Sequence, residues 1–232
     1  MEAALVDLFD TLVWSDWRTL RERIAEAIGV ERQVLRRAYE ITYTARQTGV
    51  NGTAEGDSAA LLEACGVDPA PERVHVLTDI VAMHLRDHVH LYEDSLPTLR
   101  RLRERGVRTA LVSNCDHFAG PLVDALGLKD EVDALVLSFE VGVHKPSAGI
   151  YLAALEALGA RAEQTVFVDD QPEYLDGAAA LGIDTRYIRR SAEPWEGRHE
   201  AGPHRMIEDL SSLLPPDSRD ATGRHHEFRR PL

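Results

Sequence analysis

The sequence predicts an α/β fold: a parallel, Rossmann-like sheet of strand order 3-2-1-4-5, with helices on both faces and a helical cap inserted after the first strand. Three observations point to it. Short apolar runs end on polar residues: Ala3 to Val6 before Asp7, Val107 to Val112 before Ser113, and Thr165 to Val168 before Asp169. In the second half, helical segments closing near Gly127, Gly159 and Gly182 alternate with such runs. Strand–helix–strand repetition implies right-handed crossovers and a sheet covered on both faces. Finally, the stretch from Trp14 to His90 breaks that rhythm and contains no convincing strand.

Taken in order, Ala3 to Val6 is the first buried strand. Amphipathic periodicity then predicts helices around Trp17 to Ile28, Glu31 to Gln47, Asp57 to Ala64 and Pro71 to Leu85. Turn-like Gly49-Val50-Asn51-Gly52 and Gly66-Val67-Asp68-Pro69 separate them. A helix from Leu96 to Arg105 returns the chain to the sheet, and Val107 to Val112 is the second strand. Helices Phe118 to Leu126, Ile150 to Leu158 and Tyr174 to Leu181 follow, interleaved with strands Val132 to Leu137, Thr165 to Val168 and Thr185 to Ile188. Residues 1–13 and 91–214 are thus expected to form the core, 14–90 the cap, and 215–232, with His225 and His226, a mobile tail.

Composition narrows the class. Of 232 residues, 44% are hydrophobic, too many for a disordered chain. The 26 basic side chains face 39 acidic ones, and the net charge of −13 argues against nucleic acid or anionic membrane as partners. The first segment carries Glu2, Asp7 and Asp10 but no basic residue, unlike a secretory signal, and no apolar run spans a bilayer. Cys65 and Cys115 are too few for a disulfide framework. A soluble, cytoplasmic, globular protein is expected. Among the basic residues, only Lys129 and Lys145 are lysines; two readings stand open, a codon bias toward arginine, or a lysine kept where a compact ammonium is needed.

Ligands of open parallel sheets sit at the carboxyl ends of the strands. The residues leaving the strands are Asp7, then Ser113 and Asn114, then Asp169 and Asp170, while Lys145 follows the third strand. Singly, each carboxylate or hydroxyl could be a helix cap, and Lys145 a surface charge. With strand order 3-2-1-4-5 they converge on one crevice.

These stretches resemble the four motifs of the haloacid dehalogenase-like (HAD) hydrolases. Val6-Asp7-Leu8-Phe9-Asp10-Thr11-Leu12 is similar to the first, Leu111-Val112-Ser113-Asn114 to the second, Lys145-Pro146 to the third, and Val168-Asp169-Asp170-Gln171-Pro172 with Asp176-Gly177-Ala178 to the fourth. The helical stretch resembles the C1-type cap of that superfamily. The resemblance implies Asp7 as nucleophile, Ser113 as a phosphoryl-oxygen ligand and Lys145 as the neutralising cation. It also implies Mg²⁺ held by Asp7, the Phe9 carbonyl, Asp170 and Asp169. Asn114 and the cap residue Arg46 are candidate substrate ligands, the latter because a guanidinium grips a carboxylate or phosphate bidentately. Trp14, Trp17, Tyr43 and the Asn51-Gly52-Thr53 turn are the other cap residues that could face the site, with Trp17 and Tyr43 expected rather in the core.

One position departs from the phosphatase pattern. Where those enzymes carry an acid/base aspartate, this chain has Phe9. A phenyl ring cannot protonate a leaving alkoxide. Asp10, His117 and His144 are the candidate substitutes. An aromatic residue there is a dehalogenase feature, which makes metal-independent 2-haloacid dehalogenation, with Arg46 on the substrate carboxylate, the alternative. A binding or regulatory protein weakened by Phe9 is a third reading. The paired Asp169-Asp170 favours the metal-dependent phosphatase, because without a cation they would crowd like charges beside Asp7. The cap contains no lysine, which argues against Schiff-base phosphonate cleavage.

Overall fold

The computed structural model describes residues 1–190 and 201–214. The expected tail, with His225 and His226, lies outside the described residues. The chain opens with β1 (Ala3–Val6) and β2 (Val13–Ser15), then enters α1 (Trp17–Ile28), α2 (Arg32–Gln47), α3 (Ala54–Ala64) and α4 (Pro71–His88). β3 (Val89–Leu91) closes that excursion, followed by α5 (Ser95–Glu104), β4 (Arg108–Ser113) and α6 (Ala119–Ala125). The second half runs β5 (Ala134–Leu137), α7 (Ser138–Val141), α8 (Ala148–Leu158), β6 (Thr165–Asp169), α9 (Pro172–Ala179), β7 (Asp184–Ile188) and β8 (Arg205–Ile207).

Six strands form one parallel sheet of order β5-β4-β1-β6-β7-β8. Counted along the sheet's own strands this is 3-2-1-4-5 with a sixth strand added at the edge. β1 lies in the middle, and alternate residues face opposite layers as the strand period requires. Leu5 packs with Val112, Phe167, Tyr151 and Leu175, beneath α8 and α9. Val6 packs with Leu111, Val168, Leu99 and Leu122, beneath α5 and α6. Each fully buried Leu or Phe of these layers contributes roughly 1.5–3 kcal/mol relative to exposure.

The helical insertion has its own apolar centre, built from Leu20, Ile24, Leu35, Ala38, Leu62 and Leu77. Asp16 starts α1 by accepting from the Thr19 backbone N–H at 3.0 Å, and Gly29, at φ 71°, ends it in the left-handed conformation.

Two sequence expectations are corrected. The stretch 14–90 does contain strand: β2 and β3 pair antiparallel, Val13 with Leu91 and Ser15 with Val89, and tie the two ends of the insertion together. β8, beyond the last expected strand, completes the sheet. Each is only three residues long, too short for periodicity to show in sequence, and its pairing comes from partners distant in the chain. Among the described residues, no helix is long and apolar enough to cross a membrane.

Candidate active site

The sheet register builds the centre. Val6 pairs with Leu111 on one side and Val168 on the other, so the next residues, Asp7 and Asp169, leave adjacent strands side by side. The Asp7 backbone N–H still donates to the Val168 carbonyl at 3.0 Å, which keeps the carboxylate at the strand end. Lys145 arrives from the segment after α7, and its ammonium donates to Asp7 Oδ1 at 2.5 Å and to Asp169 Oδ2 at 2.6 Å. Its side chain is 1% exposed. Asp169 Oδ1 accepts the Gln171 backbone N–H at 2.8 Å, and Gln171 Nε2 donates to Asp170 at 2.7 Å. Carboxylate oxygens of Asp7, Asp169 and Asp170 lie within 4.8 Å of one another.

Burial dominates the electrostatics. It raises the Asp7 carboxyl above the ordinary range against the pull of Lys145. It pushes Asp169 up to about 7, Asp7 adding to the rise and Lys145 resisting it. Asp170 is raised by burial and then by Asp169, Asp7 and Asp10. For Lys145 burial works downward, but Asp169 and Asp7 outweigh it, so the ammonium stays charged. When all are ionised, three carboxylates against one ammonium leave the pocket with two surplus negative charges.

The Lys145 segment is clamped from two sides. Asn114 Oδ1 accepts the Lys145 backbone N–H at 2.7 Å, and Asn114 Nδ2 donates to the Lys145 carbonyl at 3.0 Å. Across from it, α9 comes so close that a Cβ on Gly177 would stand 2.5 Å from the Pro146 carbonyl oxygen. Glycine at that position lets the fourth motif pack against the third.

The structure therefore gathers Asp7, Lys145, Asp169 and Asp170 at one point. Ser113 ends β4, fully buried, its hydroxyl 3.5 Å from the Asn114 carbonyl, a long contact. Phe9 packs edge-on against Trp17, with ring centroids 5.2 Å apart. Asp10 adopts φ 57°, a left-handed conformation that turns the loop away from the strand.

Other candidates are committed elsewhere. Arg46 is 6% exposed and donates to Asp116 at 2.8 Å and to Thr42 at 3.1 Å, so a substrate would have to displace Asp116 to reach it. Asn114 spends its amide on the Lys145 backbone and on Tyr43. His117 pairs with Asp57 at 2.7 Å, and His144 Nδ1 lies 2.7 Å from the Lys145 carbonyl. Trp14 is 45% exposed against His90, while Thr53 caps α3 through the Gly56 N–H and Asn51 donates to Asp57. Trp17 packs against the apolar clusters of both insertion and core. Tyr43, expected in the core, instead carries its hydroxyl across to Asn114 and Tyr174, at 3.1 Å from each.

Sequence reasoning missed Arg190, whose guanidinium pairs with Asp94 at 2.8 Å, donates to the Thr11 carbonyl and lies over the Tyr92 ring at 4.1 Å. It anchors the loop that follows Asp7. No local pattern announces such a residue, because its partners are 96 and 179 positions away.

A family model described as haloacid dehalogenase-like hydrolase matches residues 1–182. A glyceraldehyde 3-phosphate phosphatase of Methanopyrus kandleri is 34% identical over 134 residues, 56% of this chain and 57% of that one. The chain spans little more than half the length of such curated relatives. A HAD family enzyme of Bacteroides thetaiotaomicron, solved with magnesium and inorganic phosphate, superposes with TM-score 0.68 at 20% identity, over 84% of this chain and 98% of that one. The L-2-haloacid dehalogenase of Xanthobacter autotrophicus with covalently bound chloropropionic acid gives 0.65 at 18% identity, over 92% and 96%. At these identities the structural matches speak for the fold alone.

Proposed function

Because the chain belongs to the haloacid dehalogenase-like hydrolases, we propose that it is a Mg²⁺-dependent phosphatase of a small phosphorylated metabolite, with Asp7 as nucleophile and the helical insertion as its cap. The observation that carries this reading is the third carboxylate. Lys145 already engages Asp7 and Asp169; Asp170 beside them leaves an anionic surplus that a divalent cation offsets. A metal-free halide displacement has no use for it. Curated relatives that match at about one-third identity are phosphatases.

The donor set suits Mg²⁺, a hard ion that takes carboxylates and waters. Asp7, Asp169 and Asp170, with the Phe9 carbonyl, would hold it. When bound, it supplies charge neutralisation between an anionic nucleophile and an anionic substrate. The chain's own residues do the rest. An Asp7 oxygen attacks phosphorus, the bond to the leaving oxygen breaks, and water later cleaves the aspartyl phosphate, releasing phosphate and restoring the carboxylate. Lys145 orients Asp7, counters the rise that burial imposes on its carboxyl, and stays charged beside the transferring group. Ser113 at the end of β4 offers its hydroxyl to a phosphoryl oxygen.

Phe9 shapes the substrate preference. With no carboxylate two positions past Asp7, a leaving group of low basicity, such as a phenolate, departs more readily than an alkoxide. Phe9→Asp is expected to raise kcat on alkyl phosphates by about 10²-fold, at the low end of general-acid contributions. Loss of the Trp17 contact should lower stability by roughly 1–3 kcal/mol. Steady-state phosphate release and thermal melting check both, and an unchanged rate on alkyl phosphates contradicts the assignment of that position.

The carboxyl pKa directions give a pH dependence. Asp169 titrates near 7 in the folded protein against an ordinary 3.8, so between about 4 and 7 the folded state keeps a proton that the unfolded chain has lost. Stability from this group therefore falls as pH rises through that window, and Asp7 and Asp170 act in the same direction. Mg²⁺ competes with those protons. The melting temperature is expected to rise on adding Mg²⁺ by several degrees more at pH 8 than at pH 5. Equal shifts at both pH values would place the ion elsewhere.

Phe9 also favours the second reading, a 2-haloacid dehalogenase, since halide leaves without a proton. Halide release from 2-chloropropionate in the presence of a chelator is its test.

A further inference from the structure

Tyr43 lies on α2 of the insertion, yet its hydroxyl is part of the core's hydrogen-bond network. Lys145 is fixed through its backbone, whose N–H and C=O are both held by the Asn114 side chain at 2.7 and 3.0 Å. An amide nitrogen carries two protons, and one of those on Asn114 goes to Lys145. The other goes to the Tyr43 oxygen at 3.1 Å. Having accepted there, Tyr43 is free to give its own proton to the Tyr174 hydroxyl, also at 3.1 Å. The Tyr174 ring in turn lies 5.0 Å from the Lys145 ammonium. Asn114, which holds the Lys145 backbone, and Tyr174, whose ring faces the ammonium, thus meet at one hydroxyl supplied by the insertion. The same helix also sends Arg46 to Asp116, and α3 sends Asp57 to His117, so α2 and α3 are pinned to the segment that follows Asn114.

We propose that Tyr43 is a positioning residue for hydrolysis: docked on the core, it completes the hydrogen bonding of Asn114 and thereby sets Lys145 against Asp7. The inference rests on the phosphatase reading for its kinetic consequence but not for its structural one. Tyr43→Phe removes only the hydroxyl and keeps the ring against His144. It is expected to lower kcat for aryl phosphate by about tenfold, the worth of one such hydrogen bond, with KM changed less than twofold. The loss should vanish in an Asn114→Ala background, where the relay is already broken.

A readout independent of turnover is available because the chain has two lysines, Lys129 and Lys145. With ¹⁵N-labelled lysine and Mg²⁺ present, Tyr43→Phe is expected to shift or broaden the ammonium signal of buried Lys145. That of exposed Lys129 should not move, which also reports an intact fold. An unmoved Lys145 signal overturns the proposal, as does a rise in KM at constant kcat, which would make Tyr43 a substrate ligand. Absence of phosphate release by the unsubstituted protein would instead overturn the phosphatase reading, leaving the lysine signal to decide on Tyr43.

Discussion

Asp7→Asn is expected to abolish phosphate release, lowering kcat on the order of 10⁴–10⁶-fold, while leaving the protein folded. The size follows from the role proposed for Asp7. A carboxylate oxygen can attack phosphorus and leave again when the acyl phosphate is hydrolysed; an amide oxygen is a poor nucleophile and offers no such route. Stability should change little. Burial already raises the Asp7 carboxyl toward its neutral form, so a neutral amide of nearly the same shape is tolerated, and Lys145 retains Asp169 at 2.6 Å. Kinetics on an aryl phosphate, paired with thermal melting, check both halves. Residual activity within tenfold of the parent would remove Asp7 from the bond-forming step.

Replacing Lys145 is expected to damage the fold as well as the chemistry. Lys145→Ala takes the single ammonium from between two buried carboxylates, and removing one partner of a buried ion pair costs about 3–5 kcal/mol. The cost depends on pH in a defined direction. At pH 5 Asp169, raised to about 7, holds a proton and loses its need for a partner; at pH 8 it is charged and uncompensated. Denaturant titration should therefore show a larger loss at pH 8 than at pH 5. Mg²⁺ should recover part of that stability without restoring turnover. Lys145→Arg is no remedy, since a planar guanidinium does not fit a fully buried point held by two carboxylates. A variant equally stable at both pH values would contradict the ion-pair account.

What the sequence revealed and what it hid divide along a physical line. Asp7, Ser113 and Asp169 were legible because each stands directly after or at the end of a short apolar run, and a parallel sheet delivers the ends of neighbouring strands to one edge. Lys145 was legible as a rare lysine among arginines. Strand boundaries fell within two residues of those observed, for example Ala134–Leu137 against an expected start at Val132.

The ribbon of β2 and β3 was not legible, because six residues in two pieces carry no period and their pairing spans the whole insertion. Arg46 looked like a ligand because an arginine on an amphipathic helix carries no sign of its partner; Asp116 lies 70 positions away. Tyr43 looked like core for the complementary reason, since helical spacing identifies the inward face but not the polar tip that crosses to Asn114. Contacts between the insertion and the sheet are tertiary facts, and they decide which polar residues remain for a substrate.

Whether the third carboxylate serves a cation is most directly tested by measuring phosphate release from an aryl phosphate and halide release from 2-chloropropionate on the same preparation, each with Mg²⁺ and with a chelator. The proposed role of Asp7, Asp169 and Asp170 predicts phosphate release that depends on Mg²⁺, and no halide. Halide release that persists with the chelator, together with silence on the phosphate ester, would contradict it.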